Sequence, residues 1–143
     1  MWASLVRGTQ PHAETELALE DEHRKIIDLL NELQHQIANA APVSDQRYAL
    51  HLMTSYLRAN CLGEERIMED CCLPLARTHN EDHRAHFRAI HMIEANLIAG
   101  KTEDAMAALK AFCQTLTCHI RERDQEIVDW KRSYSERARS DMR

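Results

Sequence analysis

Seven side chains carry the chemistry that this sequence can perform. His79 and His83 are four residues apart, so on a helix their imidazoles leave the same face. Asn60 and Glu64 form a second pair at the same spacing, and His119 and Asp124 lie five apart, near enough in angle to flank one point. His23 stands alone on an otherwise apolar seam. Histidines and carboxylates at core positions are costly unless they are paired or coordinated. Four imidazoles with two carboxylates suit a borderline metal ion such as iron, manganese or zinc. One ion would use only some of them; two ions bridged by Glu64 and Asp124 would use them all.

The elements that must bring these residues together are legible from punctuation and periodicity. The sequence predicts four helices over about 16–40, 44–72, 75–99 and 102–131. Pro42, Pro74 and Gly100 separate them, with Ser44 and Thr102 as caps and 132–143 as a tail. Each helix has one apolar seam at 3-4 spacing. The seams run Leu19, His23, Ile26, Leu30, Leu33, Ile37; then Leu50, Met53, Leu57, Asn60, Glu64, Ile67, Cys71. They continue as Leu75, His79, His83, His86, Ile90, Ile93, Leu97; then Leu109, Phe112, Leu116, His119, Asp124 (one step off), Ile127, Trp130.

Short connections make neighbouring helices antiparallel, so the expected fold is an all-α, up-down-up-down four-helix bundle in a single domain, 1–143. At 1.5 Å per residue, the polar interruptions all lie roughly 6–12 Å from the same end of that bundle. A ferritin-like site would need Glu-x-x-His on two helices, and only Glu20-x-x-His23 has that spacing. A haem pocket would not need two bridging carboxylates.

Taken together, these residues resemble the hemerythrins over nearly the whole chain. The resemblance rests on Asp21-Glu22-His23, Glu64-Glu65-Arg66-Ile67-Met68, His79-x-x-x-His83 and His119-Ile120-x-x-x-Asp124, in that order. It implies a bundle holding two iron ions in an oxygen-bridged centre that binds dioxygen, with manganese or zinc as other occupants. One iron would take His79, His83 and His119, the other His23, with Glu64 and Asp124 bridging. Ile26, Cys61 and Ile120 would line the ligand pocket. The family pattern has histidine where this chain has Asn60, an aromatic residue where it has Cys61, and usually Phe where it has His86. Asn60 through its amide oxygen, a water, or His86 could fill the missing position.

Three functions follow from that pattern. The centre could bind dioxygen or another small diatomic as a sensor or redox protein, with storage disfavoured because Asn60 and Cys61 open the site. It could turn over peroxide or nitric oxide, although no general acid or base is identifiable. It could hold a single structural ion. Other classes are excluded by composition. Three Gly, three Pro and seven aromatic residues are too few for a β-sandwich. With 18 basic against 23 acidic residues, and basic residues crowded only after Trp130, no nucleic-acid surface is expected. No apolar run approaches the length of a membrane span, and Met1 to Gly8 lacks the form of a signal peptide. Five cysteines, an odd number without CxxC, read as reduced thiols. A cytoplasmic location is expected.

Overall fold

The computed structural model describes residues 11–74 and 76–143, with side chains described from Glu20 onward. The seam positions Leu19 and Leu75 therefore lie outside the described side chains. Helix α1 spans Pro11–Ala38, α2 Val43–Asp70, α3 Ala76–Ile98 and α4 Thr102–His119. A five-residue π turn, Ile120–Asp124, follows α4 and leads without a break into α5, Gln125–Asp141. Helices α1 and α2, α2 and α3, α3 and α4, and α1 and α4 are neighbours, which closes a four-helix bundle. Among the described residues there is no strand, and no helix is long and apolar enough to cross a membrane.

The turns share one device. Ala40, Cys72 and Gly100 all adopt positive φ, at 52°, 52° and 71°. In each case the next amide reaches back to a carbonyl of the last helical turn: Ala41 N to Gln36 O at 2.9 Å, Leu73 N to Met68 O at 2.9 Å, Lys101 N to Asn96 O at 2.9 Å. This left-handed cap satisfies carbonyls that the helix end would leave unpaired. Only Gly100 adopts the conformation without steric cost; Ala40 and Cys72 bear a Cβ there. Ser44 and Thr102 do not cap their helices. Pro42 precedes α2, with its carbonyl accepting from Asp45 and Gln46, and Lys101 precedes α4 without a side-chain bond.

One half of the bundle is a continuous apolar core. Ile26, Leu30, Leu33 and Ile37 of α1 meet Leu50, Met53 and Leu57 of α2, Ile90, Ile93 and Leu97 of α3, and Leu109, Phe112 and Leu116 of α4. Each buried aliphatic side chain of this kind contributes roughly 1.5–3 kcal/mol. Beyond it lies a layer of buried polar residues, and beyond that a smaller apolar patch of Met68, Cys71 and Ile127. Met68 takes the buried position expected of Ile67, which is half-buried. The Trp130 indole donates to the Cys71 carbonyl at 2.6 Å and ties α5 to the end of α2.

The fourth helix does not end near Lys131. No Gly or Pro occurs after Gly100, and the residues beyond Trp130 are mostly good helix formers, so α5 continues to Asp141. The lack of an apolar seam there hid this continuation.

The π turn explains why His119 and Asp124 are five residues apart. A π turn holds one residue more than an α turn, so it brings i and i+5 to the face that i and i+4 would share. Removing the exposed Glu122 should therefore convert the turn to regular α-helix while leaving both His119 and Asp124 directed inward. We expect this deletion to fold with nearly unchanged melting temperature and to retain metal binding. Loss of either would show that the extra residue does more than adjust register.

Candidate metal centre

The polar layer is built from all four helices of the bundle. Helix α1 supplies His23, α2 supplies Asn60 and Glu64, α3 supplies His79, His83 and His86, and the fourth helix of the bundle supplies His119 and Asp124 across the π turn. Glu64, His79, His83, His119 and Asp124 are all buried, and each offers one ligand atom within 4.8 Å of all the others. Glu64 is 1% exposed, which is exceptional for a carboxylate without a compensating cation.

The two carboxylates divide their oxygens in the same way. Glu64 Oε1 faces His23 Nε2 at 3.4 Å, while Oε2 faces His79 Nε2 at 3.0 Å and His83 Nε2 at 2.9 Å. Asp124 Oδ2 faces His23 Nε2 at 3.2 Å, while Oδ1 faces His79 Nε2 at 3.2 Å and His119 Nε2 at 3.1 Å. One oxygen of each carboxylate thus looks toward His23 and the other toward the three remaining imidazoles. His119 Nε2 and Asp124 Oδ1 are fully buried and form no hydrogen bond despite their 3.1 Å separation. Such atoms converge on a centre rather than on each other, which is the arrangement of ligands around a cation.

Two outer carboxylates orient the rings. His83 Nδ1 lies 3.3 Å from Glu65 Oε1, and His119 Nδ1 lies 3.5 Å from Asp82 Oδ2, which also faces Arg123 Nε at 3.6 Å. A carboxylate behind an imidazole fixes its tautomer and turns the other nitrogen inward. Sequence reasoning missed Glu65 and Asp82 in this role. Glu65 offered the signal of its place in the Glu64-Glu65 pair, whereas Asp82 acts across to another helix and offered none.

Not every expected site residue joins the cluster. The Asn60 amide donates to Glu22 Oε2 at 3.0 Å, engaging a half-buried carboxylate outside the group. His86 is buried against His119, with centroids 4.8 Å apart, and against Phe112 at 5.9 Å; its Nε2 has no hydrogen-bond partner. It borders a cavity of about 190 Å³ with Asp82 and His119, whereas His23 borders a different one. His86 therefore sits behind the three-imidazole side and not beside His23. Ile120 lines the His23 cavity, of about 300 Å³, while Ile26 and Cys61 pack into the apolar core.

Electrostatics without a metal follow from this packing. Burial alone would lower the pKa of His23 and His79, but the close Asp124 and Glu64 carboxylates raise both to about 9. Burial pushes Glu64 and Asp124 up, yet the surrounding imidazoles hold both well below the usual carboxylate range. His86 goes the other way: burial, then His119 and His83, lower it to about 4, so it is neutral. Burial and the nearby Glu64 push the Cys61 thiol up, making it a poor nucleophile.

These directions set the pH dependence of the metal-free protein. Stability from His23 and His79 is fully present below their unfolded value of 6.5 and is lost as pH rises through about 9. Stability from Glu64 and Asp124 is present above their ordinary values and is lost in acid. The metal-free melting temperature should therefore peak between about pH 5 and 6.5 and fall by several degrees toward pH 9. Divalent metal should flatten that fall, because it replaces the departing protons as the carboxylates' counter-charge. A metal-free profile that is level from pH 6.5 to 9 would contradict the pairing.

No curated protein and no solved structure matches the chain at a significant level. Residues 17–130 match the family model described as the Hemerythrin HHE cation binding domain. That match spans all the helices of the bundle, its family description fits the buried cluster of imidazoles and carboxylates, and the chain belongs to the hemerythrin HHE cation-binding family.

Proposed function

We propose that this bundle holds two iron ions and uses them to bind dioxygen or another small diatomic, in sensing or redox chemistry rather than storage. The observation that carries this reading is the division of carboxylate oxygens. Glu64 and Asp124 each present one oxygen toward His23 and the other toward His79, His83 and His119. A single ion on the three-imidazole side would leave the His23-facing oxygens without a use. Iron held by these residues would supply redox electrons; manganese or zinc would fit the same donors.

The chain's own residues define how such a site would behave. His79, His83 and His119 form the richer donor set, so the ion they hold is the tighter of the two. The His23 side has one imidazole and borders the cavity, which Ile120, Ile127 and Val128 line with apolar surface. That cavity also reaches Glu20 and Arg132, so polar groups border the entrance. Among the described residues no Phe, Tyr or Trp lines the cavity, and Asn60 contributes no imidazole. A pocket of this kind admits water and holds a diatomic only briefly, which supports sensing or redox use over storage.

Metal analysis of anaerobically loaded protein should give two irons per chain, with a visible spectrum that changes on exposure to dioxygen. Asn60→His should tighten the weaker ion by replacing a distant amide with a neutral nitrogen donor. His86→Phe should leave stoichiometry unchanged, since His86 faces Phe112 and His119. One iron per chain in the wild type, or a spectrum indifferent to dioxygen, would contradict the proposal.

A further inference from the structure

The His23 side of the polar layer is short of donors, and the chain places an uncommitted carboxylate beside it. Glu20 precedes His23 by three residues on α1, so the two side chains leave neighbouring positions of one face. Glu20 lines the 300 Å³ cavity together with His23, Glu64 and Asp124. It is exposed and makes no ion pair or hydrogen bond among the described residues. The two other residues that could complete this side are occupied elsewhere: Asn60 bonds to Glu22 at 3.0 Å, and His86 packs on His119 and Phe112. Independently, Glu64 Oε1 and Asp124 Oδ2 lie 3.4 and 3.2 Å from His23 Nε2, so two carboxylate oxygens of buried residues and an imidazole already converge on this side as a cation site requires.

Resting on the two-ion reading above, we propose that Glu20 supplies the missing ligand of the His23-side ion, its carboxylate turning into the cavity when that ion binds. The movement costs only the rotamer freedom of one exposed side chain. The two ions then have unlike surroundings. One has three imidazoles and two shared carboxylates; the other has a single imidazole and three carboxylates. The second set is oxygen-rich and hard, which narrows the advantage that zinc has over ferrous iron and manganese at imidazole-rich sites. The third carboxylate also leaves two divalent ions with a net charge of +1 in the layer, where Glu64 and Asp124 alone would leave +2.

The test is the affinity of each ion in Glu20→Gln, which removes the charge and keeps the shape at an exposed position. Wild type and variant are titrated anaerobically with ferrous ion against a chelator, and iron per chain is counted. Wild type should bind two ions. Glu20→Gln should weaken the looser one by at least about tenfold, the scale on which ligand-shell changes act. The tighter ion and the metal-free melting temperature should not change. Glu20→Asp should fall between the two, and Asn60→His added to Glu20→Gln should restore the second ion. Two ions of unaltered affinity in Glu20→Gln would overturn the role of Glu20 and leave the two-ion reading standing. Equal weakening of both ions would also overturn it, and a single ion in wild type would overturn both.

Discussion

The burial of two negative charges governs this bundle. Glu64 and Asp124 lie in the interior, between an apolar core on one side and Met68, Cys71 and Ile127 on the other. An uncompensated carboxylate there would cost several kcal/mol. Imidazolium groups at His23 and His79 compensate in the metal-free protein, but they do so only while protonated. A cation set between the same atoms does it at any pH where the imidazoles are neutral. The helix lengths, the antiparallel order and the π turn serve to bring four imidazoles to these two carboxylates.

That arrangement also explains why the two sides of the layer differ. The three-imidazole side is backed by Glu65, Asp82 and His86 and carries its own outer carboxylates. The His23 side meets a cavity and, among the described residues, has no comparable backing. In the proposed two-ion centre this asymmetry would keep one position well filled and leave the other accessible. Accessibility is what a sensor or a redox site needs, and it is what a storage protein must avoid.

Much of this was legible in the sequence, and for a physical reason. Seams at 3-4 spacing record which residues face the core, so polar residues on a seam announce themselves. His79 and His83 needed only the helical repeat to be placed together, and antiparallel order put His23 and Glu64 at the same level. Other features leave weaker traces. The π turn shows only as a misfit of one residue between His119 and Asp124. Left-handed caps at Ala40 and Cys72 are invisible because neither residue prefers that conformation, unlike Gly100. Contacts between helices depend on rotation, which periodicity fixes only loosely. Hence Asn60 turns to Glu22, His86 turns to Phe112, and Asp82 reaches His119 without any warning in the sequence.

In the proposed centre Glu64 and Asp124 each serve two ions at once. X-ray absorption at the iron edge of the ferrous-loaded protein addresses it without reference to activity. Shared carboxylates should give imidazole scattering together with a second iron at a distance on the order of 3.5–4 Å. A shell of nitrogen and oxygen donors with no iron neighbour, in protein carrying its full complement of metal, would contradict it.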